Sequence, residues 1–321
     1  MTKIEGKTVF GIDIGGTTVK CGIFSEDGDL LYKDEIHTRT EEKGRYILSD
    51  ISRHITELRQ KFQIQESDVL GIGYGVPGPV QEDGVVNGCV NLGWGKVDVA
   101  DESRKLNNGI ASAAGNDANV AALGEFWKGA GKGTKSMVMI TVGTGLGCGV
   151  IVNGGVVFGA HGAGGELGHI PLVEGLTEPC NCGKTGCLEQ AASATGIIRA
   201  AKRRLKETDM PSTLRKLPDF MAKDVVDAAR EGDALANEVL DYSCGYLARG
   251  LAVAAGVVDP EIYVIGGGVS KAGDFYLDKI RRPYRELAFY ASRDAKIVQA
   301  ALGNDAGMYG AARLVLDSRA D

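Results

Sequence analysis

A glycine-rich turn between two short apolar segments occurs twice in this sequence, once in each half. Segment 9–14 runs into Gly15, and segment 137–142 runs into Gly143, 128 residues later. In each case a second apolar segment follows the turn, as in a β-hairpin. A chain with two such hairpins in equivalent positions is predicted to fold as two related halves.

Two further pairs of landmarks repeat in the same order. Phe24 and Val152 each precede the next turn and are also 128 residues apart. The tetrapeptide Gly-Asn-Asp-Ala begins at Gly115 and again at Gly303, 188 residues apart. One match could arise by chance, but three in one order predict an internal duplication. The second half then carries about 60 additional residues.

Apolar periodicity predicts the same order of strands and helices in both halves. In the first half, strands are predicted at 9–14, 19–24, 30–36, 69–76 and 110–114, and helices at 44–62 and 118–128. In the second half, strands are predicted at 137–142, 148–152 and 262–265, helices near 193–207 and 224–258, and a last helix after residue 303. The longest apolar run, 250–258, is far too short to span a bilayer, so no membrane segment is expected.

A duplicated order of this kind resembles the actin-like ATPase fold, which is also called ribonuclease H-like. The resemblance implies an α/β protein whose two domains flank an active-site cleft, with glycine hairpins that hold phosphates through backbone N–H groups. The expected small domain comprises residues 1–117 and 303–321, and the large domain comprises residues 118–302. A Rossmann fold is not expected, because the turn at Gly143 leads into a strand and not into a helix.

Asp13 ends the first predicted strand, directly before the first glycine turn. It either caps the hairpin or holds Mg²⁺, through water, beside the phosphates of ATP. The second hairpin favours the phosphate interpretation, because two loops can close on one nucleotide. The predicted nucleotide-binding residues are Asp13, Gly15, Gly16, Thr17, Thr18, Thr144, Gly145, Gly267 and Gly268.

Asn116 and Asp117 lie where a predicted strand meets a predicted helix. Either side chain could serve as an N-cap, which is the usual role of Asn and Asp at that position. A carboxylate there could instead accept the proton of an attacking hydroxyl during phosphoryl transfer. Asp305 occupies the duplicated position, and the pattern by itself leaves both aspartates as candidates.

Three of the seven cysteines, Cys180, Cys182 and Cys187, lie within eight residues, and His169 precedes the first of them by eleven. Three thiolates and one imidazole complete a tetrahedral shell for a structural Zn²⁺ ion. A loop of buried thiols without metal is the alternative. The other cysteines are expected to be small buried hydrophobic residues: Cys21, Cys89, Cys148 and Cys244.

Two glutamates, Glu166 and Glu189, flank the cysteine cluster and are either solvated surface charges or ligands of a polyhydroxylated molecule. The second interpretation is favoured because a metal would fix both side chains, and an ionised carboxylate forms short hydrogen bonds to hydroxyl groups. The metal loop falls in the additional material of the second half, so it is expected to serve recognition of that molecule and not the phosphate loops. Asn91 could also contact hydroxyl groups or simply turn the chain, and Trp94 is more often a packing residue than a sugar platform.

Charge and cysteine content limit the partners that this chain is expected to bind. A net charge of −6 and a pI near 5.4 argue against a nucleic-acid partner, which needs a basic surface. The N-terminus lacks the apolar region of a secretory signal, and seven cysteines, an odd number, suit reduced thiols. A cytoplasmic protein without a membrane partner is expected.

Together these residues resemble the ROK family of bacterial sugar kinases and repressors, over essentially the whole chain. Within that family the similarity is strongest to the bacillus-type ATP-dependent glucokinases. The motifs that carry the resemblance are residues 13–17 (DIGGT), 76–79 (VPGP), 90–94 (VNLGW), 166–169 (ELGH) and 180–189 (CNCGKTGCLE).

The resemblance implies phosphorylation of glucose at its 6-hydroxyl by ATP with Mg²⁺, giving glucose 6-phosphate and ADP. It also implies that Asp117, and not Asp305, is the catalytic base, and that the protein is a homodimer. Binding of sugar hydroxyls is implied for Gly78, Asn91, Asn116, Asp117, Glu166, His169 and Glu189. Binding of Zn²⁺ is implied for His169, Cys180, Cys182 and Cys187, so His169 would use one ring nitrogen for the metal and the other for the sugar.

The sequence leaves alternatives to this interpretation. A kinase of the same family could act on N-acetylmannosamine, mannose, fructose or allose, because the metal loop does not choose between these sugars, and polyphosphate could replace ATP. A sugar-responsive repressor of the family would carry a DNA-binding helix-turn-helix ahead of the first strand. Because the first strand begins near Val9 and the net charge is acidic, a repressor is not expected.

Overall fold

Two five-stranded sheets organise the chain, and each belongs to a separate unit of structure. The computed structural model describes residues 3–319. Within that range, unit 1 comprises residues 3–133, 156–164 and 304–319, and unit 2 comprises residues 134–155 and 165–303.

The sheet of unit 1 combines a hairpin with parallel strands. The strands are β1 (Thr8–Ile14), β2 (Thr18–Ser25), β3 (Leu30–His37), β4 (Val69–Val76), β5 (Val85–Cys89), β6 (Trp94–Asp98) and β7 (Ser112–Asn116). The sheet has the order β3-β2-β1-β4-β7, with β1 antiparallel to β2 and parallel to β4. Strands β5 and β6 form a separate antiparallel hairpin, which the sequence analysis did not predict.

Four helices complete unit 1. They are α1 (Ile47–Phe62), α2 (Val99–Leu106), α3 (Asp117–Lys128) and α9 (Ala306–Asp317). The apolar spacing of α1 is confirmed, because Ile47, Ile51, Ile55 and Leu58 are all buried. The helix begins three residues later than predicted, since residues 41–44 form a separate 3-10 turn.

Helices α3 and α9 cross with their backbones in contact. A side chain on Gly310 would place its Cβ 1.6 Å from the carbonyl oxygen of Val120, and one on Gly124 would place it 2.2 Å from that of Ala306. Only glycine permits so close an approach. This packing keeps α3 in unit 1, which extends to residue 133, whereas the sequence analysis expected the domain boundary after residue 117.

The sheet of unit 2 repeats the plan of unit 1. Its strands are β8 (Met137–Val142), β9 (Leu146–Val152), β10 (Gly155–Val156), β11 (Ile262–Gly266) and β12 (Lys296–Gln299). They have the order β10-β9-β8-β11-β12, with β8 antiparallel to β9 and parallel to β11. This matches the sheet of unit 1 position by position, so the predicted duplication is confirmed.

The helices of unit 2 correct one prediction. They are α4 (Glu189–Ala192), α5 (Ala194–Glu207), α6 (Ala222–Arg230), α7 (Ala234–Val258) and α8 (Asp274–Leu287). The prediction of a single helix over residues 224–258 is wrong, because Gly232, which lies between α6 and α7, has a positive φ of +93°. Asp233 then caps α7 by accepting a hydrogen bond from the backbone of Ala236 (3.0 Å).

The apolar core of unit 2 lies between its sheet and these helices. Fully buried side chains include Ile140 of β8, Leu247 and Leu251 of α7, and Tyr276 of α8. Although α7 is 25 residues long, no helix within residues 3–319 has the length and apolar character needed to cross a membrane.

Candidate functional site

The first glycine turn joins β1 to β2. A hydrogen bond from Gly15 N to Thr18 O (2.9 Å) closes it. The buried Thr38, just beyond β3, donates from its hydroxyl to Gly15 O (2.7 Å) and from its backbone to Thr17 O (2.9 Å). These bonds fix the loop while Gly16 and Thr17 are exposed at its tip, which suits a loop that meets an anion through its backbone.

Asp13 lies on β1 opposite Lys20 of β2. Its Oδ2 is 3.8 Å from Lys20 Nζ, which also donates to the carbonyl oxygen of Asn304 (2.8 Å). Gly307 of α9 packs against the same carboxylate, where a Cβ would lie 2.7 Å from Oδ2. Burial raises the pKa of Asp13, and the charge of Lys20 opposes that shift only in part. A half-buried carboxylate whose charge is incompletely compensated is well suited to hold a cation.

Asn116 is the N-cap of α3, and Asp117 is the first residue of that helix. Asn116 Oδ1 accepts hydrogen bonds from the backbone of Ala118 (3.0 Å) and Asn119 (3.2 Å), while its Nδ2 donates to Gly78 O (2.9 Å). Asn116 therefore has the capping role that the sequence left open, and it also ties the Gly78 loop to the helix. The exposed carboxylate of Asp117 accepts from Ala118 N (2.8 Å), at the positive end of the helix dipole.

Asp305, the sequence duplicate of Asp117, lies in a different local structure. It ends a 3-10 turn ahead of α9, and within the described chain its side chain makes no cap hydrogen bond. Its carboxylate instead pairs with Lys33 Nζ at 2.5 Å. The two copies of Gly-Asn-Asp-Ala therefore present their aspartates differently, and the charge of Asp305 is already matched by a lysine.

Asn91 is exposed in a 3-10 turn between β5 and β6. Its backbone lies near the first glycine turn, since a Cβ on Gly16 would be 3.8 Å from Asn91 O. Trp94 is buried and donates from Nε1 to Gly44 O (3.0 Å), so it is a packing residue, as expected. Unit 1 thus brings Asn91 close to the first glycine turn.

The second glycine turn joins β8 to β9 in unit 2. It is closed by a hydrogen bond from Gly143 N to Gly145 O (3.0 Å). The start of α5 holds it in place, because Ala194 N donates to Gly143 O (2.9 Å) and the Thr195 hydroxyl donates to Thr144 O (2.7 Å). The turn is therefore fixed through its carbonyl oxygens, as the first turn is fixed by Thr38.

Gly267 and Gly268 follow β11 and lie beside the second turn. Gly267 has a φ of +84°, and a Cβ there would be 2.4 Å from the carbonyl oxygen of Val142. Gly268 borders, with Gly143 and Thr144, a cavity of about 540 Å³ within unit 2. Helix α6 forms another part of this cavity, which is not evident from the sequence. The apolar spacing of an amphipathic helix does not indicate which cavity the helix will border.

His169, Cys180, Cys182 and Cys187 come together in unit 2, with their ligand atoms all within 4.8 Å of one another. Cys180 Sγ is 3.6 Å from His169 Nδ1, and Cys182 Sγ is 3.5 Å from Cys187 Sγ. Sulfur ligands about 2.3 Å from a tetrahedral ion are roughly 3.8 Å apart, so the donor atoms and their spacing fit a metal. The residues predicted from spacing thus form one cluster that can hold a metal ion.

The pKa of Cys182 is lowered, whereas burial raises the pKa of the other six cysteines, including Cys180 and Cys187 of the cluster. The backbone N–H of Lys184 lowers the pKa of the exposed Cys182 thiol, which favours a thiolate. Burial raises the pKa of Cys21 and of Cys148 to about 12. All the cysteines outside the cluster are buried, as expected: Cys21, Cys89, Cys148 and Cys244.

The two ring nitrogens of His169 face different groups. Nδ1 faces Cys180 Sγ, whereas Nε2 is 3.8 Å from Oε2 of Glu166. The side chain of His169 is 33% exposed and that of Glu166 is 48% exposed, so a ligand can reach both side chains. One imidazole can therefore bind a metal and a second polar group at once.

Glu189, the first residue of α4, touches both the metal cluster and the second glycine turn. Its Oε1 is 3.7 Å from Cys180 Sγ, and its Oε2 accepts a hydrogen bond from Leu146 N (2.8 Å). A Cβ on Gly145 would lie 2.5 Å from the same Oε2. Glu189 thus connects the metal loop directly to the second glycine turn, a contact that the sequence pattern does not indicate.

Known proteins are similar to this chain over nearly its full length. The sequence profile of the ROK family matches residues 9–318. The chain is 41% identical to the glucokinase of Halalkalibacterium halodurans over 310 residues, which cover 95% of this chain and 94% of that protein. It is 37% identical to the glucokinase of Thermotoga maritima over 315 residues, 96% of each chain.

A solved structure agrees with this match. The ROK family glucokinase from Streptomyces griseus, in complex with glucose and AMPPNP, is similar with a TM-score of 0.76 at 32% identity, over 96% of this chain and 98% of that chain. Together with the duplicated strand order, this confirms the predicted fold class, two α/β units of the actin-like ATPase fold. Because the profile spans both units and the relatives match over nearly their whole length, the chain belongs to the ROK family.

Proposed function

We propose that this protein is an ATP-dependent glucokinase, which transfers the γ-phosphoryl group of ATP to the 6-hydroxyl of glucose. Two full-length relatives are glucokinases, and the Streptomyces griseus relative was solved with glucose and AMPPNP. In this chain the observation that carries the proposal is the exposed carboxylate of Asp117 at the N-terminus of α3. Phosphoryl transfer needs positioning, charge neutralisation and a base of this kind.

Asp117 is assigned as the catalytic base. Its carboxylate accepts the proton of the 6-hydroxyl as the sugar oxygen attacks the γ-phosphorus. The bond from that phosphorus to the bridging oxygen breaks, and ADP leaves with the bridging oxygen. Asn116 supports the base, because it holds both the first turn of α3 and the Gly78 loop.

The triphosphate is assigned to the glycine segments, and Mg²⁺ to Asp13. The assigned residues are Gly15, Gly16, Thr17 and Thr18 in unit 1, and Thr144, Gly145, Gly267 and Gly268 in unit 2. Asp13 is suited to hold Mg²⁺ through water, because its half-buried charge is only partly compensated by Lys20. When bound, Mg²⁺ neutralises part of the triphosphate charge.

Sugar hydroxyls and Zn²⁺ are assigned to the remaining predicted residues. The sugar ligands are Gly78, Asn91, Asn116 and Asp117 in unit 1, and Glu166, His169 and Glu189 in unit 2. Zn²⁺ is assigned to His169, Cys180, Cys182 and Cys187, since three thiolates and one imidazole are its usual structural shell. Its role is structural, because it fixes the loop that carries the sugar ligands of unit 2.

We further propose that the protein is a cytoplasmic homodimer that acts in glycolysis. It is not expected to bind nucleic acid or membranes. The rings of Phe289 and Tyr290 in unit 2 are both exposed and lie 4.3 Å apart, which supports an apolar contact with a second copy. Light scattering of the purified protein should give twice the chain mass of 33.7 kDa. A monomer at micromolar concentration would remove the dimer from the proposal.

The test of the activity is a coupled assay of ADP release over a panel of sugars. Glucose should give the highest kcat/KM among glucose, N-acetylmannosamine, mannose, fructose and allose, with glucose 6-phosphate as the product. A higher kcat/KM for N-acetylmannosamine would assign the protein to another hexose. Activity with polyphosphate in place of ATP is measured in the same assay.

A further inference from the structure

The turn at residues 41–44, between β3 and α1, has an unusual backbone. Glu42 has φ/ψ angles of 52°/39° and Lys43 has angles of 61°/36°, and Gly44 follows with a φ of 65°. Among the residues that the structure describes, Glu42 and Lys43 are the only adjacent non-glycine residues with a positive φ. Long side chains are disfavoured in this left-handed region, so the pair is strained. Such strain persists only where the surrounding structure holds it, often beside a ligand.

Contacts with α1 hold this turn in place. Arg39, which precedes the turn, donates two hydrogen bonds to the carboxylate of Asp50 on α1 (2.9 and 3.0 Å). The guanidinium of Arg39 also lies 4.0 Å from the centroid of the Tyr46 ring, just ahead of α1. Within the segment, Gly44 N donates to Thr40 O (3.1 Å). The strained residues are therefore fixed by bonds on both sides of the turn.

The turn packs against the loop between β5 and β6. A Cβ on Gly93 would be 3.0 Å from the Cα of Lys43, and a Cβ on Gly44 would overlap the carbonyl oxygen of Leu92. The buried indole of Trp94 donates from Nε1 to Gly44 O (3.0 Å). The two backbones can approach this closely because glycine is present on both sides. The left-handed course of the turn therefore determines where the base of the loop lies.

The same loop carries Asn91, which is exposed. Its neighbour Val90 is 97% exposed, so the tip of the loop has little packing of its own, whereas Leu92 at its base is fully buried. The position of Asn91 thus depends on the base of the loop, which the turn contacts. The inference below rests on the proposed function, which assigns Asn91 to a sugar hydroxyl.

We propose that the left-handed turn positions Asn91 for a hydroxyl group of the sugar, and that Lys43 is the residue through which it does so. A left-handed conformation at residue 43 places its Cα against Gly93. A residue that avoids this conformation would change the course of the turn and displace the loop. Lys43 acts through Asn91, so it is a positioning residue and not a catalytic one.

Three substitutions of Lys43 test this role through the calorimetric Kd for glucose. Lys43→Gly and Lys43→Asn should bind glucose within about twofold of wild type, because both residues adopt the left-handed conformation readily. Lys43→Val should bind about 3- to 10-fold more weakly, the effect of one neutral hydrogen bond, because a β-branched residue avoids that conformation. At saturating glucose and MgATP its kcat should stay within about threefold of wild type, since Asp117 is unchanged.

Gln63→Val is the matched control for strain alone. Gln63 is also left-handed, with φ/ψ angles of 56°/35°, but it caps the end of α1 that is far from the turn. This variant should lower Tm as Lys43→Val does and should keep the wild-type Kd for glucose. Equal weakening of glucose binding in both variants would show that Lys43 contributes stability only, which would overturn the inference.

A double variant tests whether Lys43 acts through Asn91. Adding Lys43→Val to Asn91→Ala should weaken glucose binding by less than about twofold further, because both changes remove the same hydrogen bond. Full additivity of the two losses would contradict the inference.

Hydrogen exchange of residues 89–94 gives a readout that needs no sugar. It should rise about tenfold in Lys43→Val and stay at the wild-type level in Gln63→Val. Wild-type exchange in a folded Lys43→Val variant would overturn the role of the turn and leave the glucokinase proposal standing. If the wild type neither binds nor phosphorylates glucose, the glucokinase proposal fails, and the exchange still decides whether the turn holds the loop.

Discussion

The two glycine turns occupy the same place in two copies of one sheet, yet they differ at the residues that carry charge. In unit 1, Asp13 lies opposite Lys20, whereas in unit 2 the equivalent pair is Thr141 opposite Gly147. The two units thus share the backbone plan of the glycine turn, but the carboxylate suited to a cation is found in unit 1 only. A shared fold therefore does not imply a shared chemical role.

The second turn is also one residue shorter than the first. Val9 pairs with Phe24 in unit 1, and Met137 pairs with Ile151 in unit 2. Phe24 therefore corresponds to Ile151, and not to Val152 as the sequence spacing indicated. In unit 2 the carboxylate of Glu189, which lies outside the hairpin, accepts a hydrogen bond from Leu146 N directly after the shorter turn.

The largest expected effect separates the two duplicated aspartates. Asp117→Asn should lower kcat by about 10²- to 10⁴-fold, because a general base contributes that much to a proton transfer. Asp305→Asn should stay within about threefold of wild type, since it removes only an ion pair with Lys33 at the surface. Initial rates at saturating glucose and MgATP measure both variants. Equal losses of kcat in the two variants would show that the two aspartates do not differ in role.

A second substitution tests the difference between the two glycine turns. Asp13→Asn should lower kcat/KM for MgATP by about 100-fold, because the carboxylate that supports Mg²⁺ is lost. The equivalent change in unit 2, Thr141→Val, should stay within about twofold of wild type. Rates measured over a titration of Mg²⁺ compare the two variants. A large loss in Thr141→Val with little loss in Asp13→Asn would reverse the assignment.

The metal cluster belongs to unit 2 alone, so its loss should leave unit 1 intact. Wild-type protein should contain one Zn²⁺ per chain, and Cys182→Ser should contain none, because one ligand of the tetrahedral shell is gone. Hydrogen exchange should then rise about tenfold or more in residues 166–189, with β1 and β4 unchanged. Cys244→Ala, a buried cysteine of α7, is the control and should retain the metal. Zinc-free wild-type protein would refute the assignment.

The smallest expected effect concerns the stability of unit 1. Burial holds the pKa of Asp13 above its unfolded value, so its ionisation destabilises the folded state once the pH exceeds that unfolded value. Asp13→Asn should therefore raise Tm at pH 7, without nucleotide or Mg²⁺, by about 1–3 °C. The gain should vanish below about pH 4, where the carboxyl group is protonated in both states. A lower Tm for the variant at pH 7 would contradict this electrostatic account.

Much of this architecture could be predicted because its signals are local. The two glycine turns, the buried face of α1 and the four metal-site residues all depend on spacing within a short stretch of chain. The break between α6 and α7 was missed although Gly232 and Asp233 mark it, because apolar residues continue at helical spacing on both sides.

Other features could not be predicted because they depend on tertiary contacts. Asp117 and Asp305 lie in identical tetrapeptides, and only their tertiary contacts distinguish them. Asn116 beside Asp117 bonds to the Gly78 loop, whereas Asp305 pairs with Lys33. The hydrogen bond from Leu146 to Glu189 joins residues 43 positions apart. No periodicity within either segment indicates such a contact.

We propose that Asp117 of unit 1 is the base and that the metal loop of unit 2 positions Glu166, His169 and Glu189 as sugar ligands. Calorimetric titration of glucose into Asp117→Asn and into Cys182→Ser tests this division most directly. Asp117→Asn should bind glucose with a Kd within about threefold of wild type, because a neutral amide still hydrogen-bonds a hydroxyl. Cys182→Ser should bind at least about tenfold more weakly, because its sugar ligands are no longer held in place. Wild-type affinity in Cys182→Ser, or loss of binding in Asp117→Asn, would contradict the account.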